Sequence, residues 1–81
     1  MDKIKQTAHT LLSAIVDNEE IEMVEVADTD DYVQVTIRVK PDAIGKVIGK
    51  EGKVVKAIRT LLKIVAYKEV GKKLAVDIVK P

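Results

Sequence analysis

Gly49 and Gly52 bracket Lys50 and Glu51, and Lys46, Lys53 and Lys56 stand within a few residues on either side. Glycine has no Cβ, so a chain turns tightly there and its backbone can come close to a ligand. Apolar periodicity resumes at once after Gly52. The turn therefore opens a helix, whose unpaired N–H groups and positive dipole end favour an anion. Ringed by lysines, such a turn suits the phosphates of a sugar–phosphate backbone. It is not a nucleotide loop of the P-loop kind. Gly45 and Gly49 are separated by three residues where that loop needs four, and Lys50 is followed by Glu51 where it needs Ser or Thr. No G-x-G-x-x-G follows a strand either, which removes a dinucleotide fold. By itself, a GxxG also serves as an ordinary helix–helix turn.

Other chemistries find little material. There is no cysteine, so disulfides and thiolate-bound metals are absent, and a single histidine cannot build a His-rich metal site. Ser13 is the one serine, and no His–carboxylate arrangement accompanies it, so no enzymatic activity and no cofactor are expected. His9 falls off the apolar stripe of its helix and is expected at the surface. With no Phe or Trp and only Tyr32 and Tyr67, base stacking is expected to contribute little.

The formal charge of +1 hides a division. Residues 1–31 carry nine acids and two bases, a net of −7, while residues 32–81 carry twelve bases and four acids, a net of +8. Such asymmetry is what a chain shows when one part meets an anion and the other does not. The acidic run Asp17–Glu25 reads as a solvated loop and strand edge.

The elements that must position the turn follow from periodicity. Ile4, Ala8, Leu11, Leu12 and Ile15 form one helical face over Lys3–Val16, with Asp2 as N-cap and Asp17-Asn18 as stop. Ile21–Ala27 is β-branched but imperfectly alternating, a strand that is bulged or at an edge. Asp28-Thr29-Asp30-Asp31 is turn chemistry, making a hairpin with Tyr32–Lys40, where Val33, Val35, Ile37 and Val39 face the core. Pro41 ends that strand and opens a short helix over 42–48. A longer helix covers 53–67, and Lys73–Lys80 is a last strand with Leu74, Val76 and Ile78 inward. The order is α-β-β-α-α-β, an α+β fold with three helices on one face of a three-stranded mixed sheet. The strands flanking the helical crossover should run parallel, with a right-handed connection. No secretory leader or bilayer-spanning run is legible, so the reading is one domain over 1–81, cytoplasmic and without membrane attachment.

The Val47-Ile48-Gly49-Lys50-Glu51-Gly52-Lys53 core with a helix on either side resembles the KH domain, whose GxxG loop clamps about four backbone nucleotides. A helix and strand ahead of the β-α-α-β core resemble the type II arrangement. Together with Ala57-Ile58-Arg59-Thr60-Leu61-Leu62, the chain is similar over essentially its whole length to the small stand-alone bacterial KH proteins of the KhpA type. The resemblance implies binding of single-stranded RNA, as a post-transcriptional regulator or RNA chaperone. Gly49, Lys50, Glu51 and Gly52 would form the clamp, with Lys46, Lys53 and Lys56 around it. Ile44, Val47, Ile48 and Val55 would contribute to an apolar groove wall, and the last strand would supply the wall opposite. Single-stranded DNA stays open as a ligand, since the clamp alone does not read the 2′-OH.

On the helix over 53–67 the apolar residues cover an arc of roughly 200°, about twice that of a surface helix with one buried face. Val54, Ile58, Leu61 and Val65 are expected on the sheet, with Ala57 and Ile64 on one flank and Val55, Leu62 and Ala66 on the other. Either the neighbouring helices cover both flanks, or one flank is an interface. The resemblance implies the second: a homodimer, or pairing with a larger KH protein of the KhpB (Jag-like) type. A protein-interaction module that assembles such a complex is the alternative function.

Overall fold

A computed structural model describes residues 1–79 of the chain. Helix α1 spans Asp2–Ser13, strands β1 and β2 span Ile21–Asp28 and Tyr32–Val39, helices α2 and α3 span Ile44–Ile48 and Lys53–Val70, and strand β3 spans Lys73–Val79. The sheet order is β1-β2-β3, with β1 antiparallel and β3 parallel to the central β2. This is the α-β-β-α-α-β order, with a mixed three-stranded sheet carrying α1, α2 and α3 on one face. The reading that the last strand reaches Lys80 lies outside the described residues.

The central strand shows why the layers form. Val33, Val35, Ile37 and Val39 are fully buried beneath the helices, while Tyr32 and Arg38 on the opposite face are exposed and Gln34 and Thr36 half-buried. Alternation of apolar and polar residues puts every branched aliphatic of β2 on one side, and burying each contributes about 1.5–3 kcal/mol. Ile4, Ala8 and Leu12 of α1 and Ile58, Leu62 and Ala66 of α3 complete the core from above, each set at i, i+4, i+8 spacing.

Three local differences have physical causes. α1 begins one residue earlier than expected, with Met1 as N-cap and Asp2 inside the first turn, where its charge meets the dipole. Asp17 does not merely stop a helix. It caps a 3₁₀ turn over Asn18–Glu20, its backbone N–H donating to Glu20 Oε1 at 3.0 Å. The irregular alternation of β1 is a register shift between Ile21 and Met23 against β2, on an edge strand.

α3 is also three residues longer than its apolar pattern. Gly71, at φ +68°, ends it by donating to the Ala66 and Tyr67 carbonyls at 3.2 and 2.9 Å. Lys72 then ties the start of β3 to the β1–β2 hairpin, donating to Asp28 Oδ1 at 2.7 Å and to the Thr29 carbonyl at 3.0 Å.

Candidate nucleic-acid interface

The glycine turn lies between α2 and α3, and its backbone is unusual at three of four positions. Gly49 has φ +76° and ψ 173°, a region open essentially to glycine alone. Glu51 (φ 58°, ψ 24°) and Gly52 (φ 74°, ψ 16°) are successive left-handed residues. The Gly52 N–H donates to the Gly49 carbonyl at 3.1 Å, closing the turn. Lys50 and Glu51, between the two glycines, are both exposed. Successive left-handed residues ahead of an 18-residue helix have the backbone shape of an anion-binding concavity.

The two glycines do different work. A Cβ at Gly49 would stand on the Val54 side chain, 2.7 Å from its Cβ and 2.9 Å from its backbone N. Close approach of the turn to the first residues of α3 thus requires glycine there. A Cβ at Gly52 would meet nothing nearer than the Lys56 Cε at 3.9 Å, so glycine is needed for its φ alone. Glu51 holds a left-handed conformation without that freedom. Glu51→Gly is accordingly expected to raise stability by about 0.5–1 kcal/mol, the relief of αL strain less glycine's added chain entropy, measured by urea denaturation.

The basic residues fall into two groups. Lys50, Lys53 and Lys56 are exposed and form no ion pair among the described residues. Lys46 instead leans toward the 3₁₀ turn, its exposed Nζ 3.9 Å from Oε1 of the half-buried Glu20, a long pair worth at most about 1 kcal/mol. Of the expected apolar wall, Ile44, Ile48 and Val55 are half-buried and present some surface. Val47 corrects the reading: it is 0% exposed and belongs to the core, so it supports the wall from beneath and touches no ligand. The reason is helical spacing, since Val47 follows the fully buried Ala43 by four residues on the inward side of α2.

Away from the turn, the C-terminal half of α3 and the start of β3 border a cavity of about 550 Å³ lined by Lys63, Tyr67, Gly71, Lys72, Lys73 and Leu74. Tyr67, one of the two aromatics, thus stands beside this α3–β3 cleft. The signal was present in the spacing of Lys56, Lys63 and Tyr67, which share one side of a helix, but it needed the position of β3 to have meaning.

α3 is also turned about its axis relative to expectation. Leu62 and Ala66, placed on a flank, are fully buried, whereas Leu61, placed on the sheet, is 46% exposed and Ile64 is 62% exposed. Elsewhere, Ser13 Oγ lies 3.3 Å from His9 Nδ1 and donates to Asn18 Oδ1 at 2.9 Å, an exposed tie at the end of α1. No cluster of three potential metal ligands occurs among the described residues, and none of their helices is long and apolar enough to cross a membrane.

The family model for the KH domain of KhpA and KhpB matches residues 5–78. Among similar proteins, the RNA-binding protein KhpA of Clostridium acetobutylicum is 38% identical over 77 residues, covering 94% of this chain and 100% of its own. That of Aquifex aeolicus is 31% identical over 80 residues, 99% of this chain and 100% of its own. That of Chlamydia caviae is 47% identical over 57 residues, 69% of this chain and 72% of its own.

Proposed function

The chain belongs to the KhpA/KhpB family of KH domains, and from that premise we propose that it binds single-stranded RNA by clamping the sugar–phosphate backbone at Gly49–Gly52. The observation that carries this reading is the turn's backbone, glycine-only at Gly49 and left-handed at Glu51 and Gly52, set at the head of α3 beside exposed Lys50, Lys53 and Lys56, which form no ion pair among the described residues. Phosphates dock on the turn and its lysines, and bases lie toward Ile44, Ile48 and Val55, with β3 opposite. In the cell such a domain acts as a post-transcriptional regulator or RNA chaperone in the cytoplasm, a single KH unit over 1–81 that needs no cofactor.

The test keeps both glycines and changes the residues between them. Lys50→Asp combined with Glu51→Asp replaces the cation under the phosphates with a second carboxylate, and aspartate tolerates the left-handed position 51. RNA affinity is expected to fall at least tenfold, measured by fluorescence anisotropy at fixed salt, with the circular dichroism spectrum and melting temperature retained. The slope of log K against log salt, about −0.7 per phosphate neutralised on a single strand, should become shallower. Undiminished affinity in the folded double variant would remove the clamp. A matched single-stranded DNA measured in parallel decides between the two nucleic acids.

A second reading rests on a separate observation, the exposed Leu61 and Ile64 on the outer side of α3. They support self-association or pairing with a KH protein of the KhpB type. Joining two weak clamps would raise affinity through effective concentration.

A further inference from the structure

We propose that the cleft between the C-terminal half of α3 and the start of β3 is a second nucleotide subsite on the same RNA strand. In it, the Tyr67 ring stacks on a base and Lys63 and Lys73 meet the flanking phosphates. This rests on the reading of the glycine turn as an RNA clamp and extends its path along the helix.

Tyr67 is 75% exposed, yet its ring borders the cavity of about 550 Å³ instead of standing alone on the surface. Leu74, buried in the core, gives the cavity an apolar lining on the β3 side, while Lys63 and Lys73 line it as cations with no ion pair among the described residues. Lys72 is already spent on Asp28 and the Thr29 carbonyl. That contact anchors the β3 side of the cleft and offsets the hairpin charge nearest to it. The backbone on the other side is held as well, because the Gly71 N–H donates to the Tyr67 carbonyl at 2.9 Å. An aromatic ring grouped with unpaired cations is the combination by which single-stranded nucleic acids are held without sequence preference.

Position along the helix makes the two sites parts of one track. Lys56, Lys63 and Tyr67 follow one another at i, i+7, i+11 on one side of α3, and Tyr67 lies about 21 Å along the axis from Lys53 at the turn. A clamp that holds about four nucleotides leaves the rest of a longer strand to be received beyond it. The cleft is where the charge and the ring are.

Uridylate tetramers and octamers are the probes. Tyr67→Ala is expected to weaken octamer binding about tenfold and tetramer binding less than twofold, with sedimentation unchanged, and Tyr67→Phe should retain the octamer affinity. With Tyr32→Phe, Tyr67 becomes the one remaining tyrosine, and its emission should quench on adding octamer but not tetramer. Equal octamer affinity in Tyr67→Ala and the parent, or an unquenched Tyr67, overturns the subsite. A changed sedimentation with unquenched emission overturns it too, and assigns the ring to a protein contact. If the Lys50/Glu51 variant still binds octamer at full strength, the clamp has failed instead, a result separable from the behaviour of Tyr67.

Discussion

Alanine at Gly49 is expected to destabilise the protein by about 3 kcal/mol or more, and alanine at Gly52 by about 1 kcal/mol, read from urea unfolding. Two of the four glycines of this chain sit three residues apart, and a sequence pattern treats them alike. The structure does not. At Gly49 a methyl group would collide with Val54 and the backbone lies in the region reserved for glycine, so two penalties combine. At Gly52 the space is open and the left-handed φ is the one obstacle. Because Gly49 sets how closely the turn lies on α3, its alanine variant should also lose RNA binding more than its stability alone would dictate. Equal stability losses at the two positions would show that the turn relaxes away from Val54.

Aspartate at Leu62 is expected to prevent folding, whereas aspartate at Ile64 should change stability by less than about 0.5 kcal/mol. Leu62 is fully enclosed by the sheet and α1 side of the core, where even Leu→Ala removes about 2–5 kcal/mol. Ile64, two residues on, is 62% exposed and meets water. The Ile64 variant therefore separates the two functional readings cleanly. A folded monomer that still binds the RNA tetramer would assign the outer side of α3 to association and the glycine turn to RNA. Sedimentation of the parent protein that stays monomeric at tens of micromolar, a range typical of weak interfaces, would remove the association reading.

The contrast between Leu61 and Leu62 shows where sequence reasoning stopped. An apolar arc of roughly 200° on α3 is wider than any single contact, so periodicity identifies a helix but not which part of the arc turns inward. That choice was made by α1 and β3, which pack against α3 and draw Ile58, Leu62 and Ala66 into the core. Leu61 and Ile64 are left outside. The same limit misplaced Val47, whose burial depends on the angle at which a five-residue helix meets the core. Strand β2 had no such ambiguity. Strict alternation over eight residues admits one inward set, and Val33, Val35, Ile37 and Val39 are that set.

By itself, the sequence determined the element order, the hairpin, the parallel crossover and the presence of a glycine turn ringed by lysine, because each rests on local periodicity or on the few conformations that glycine and proline permit. Family membership followed from the same short segment and its setting. The tertiary structure decided what depends on surfaces meeting. It placed Val54 against Gly49, drew Lys46 toward Glu20, and turned α3 so that Leu61 and Ile64 face solvent. It also brought Tyr67 to the cavity that Lys73 borders. Those juxtapositions join residues distant in the chain, and their energies belong to packing, which one-dimensional spacing does not encode.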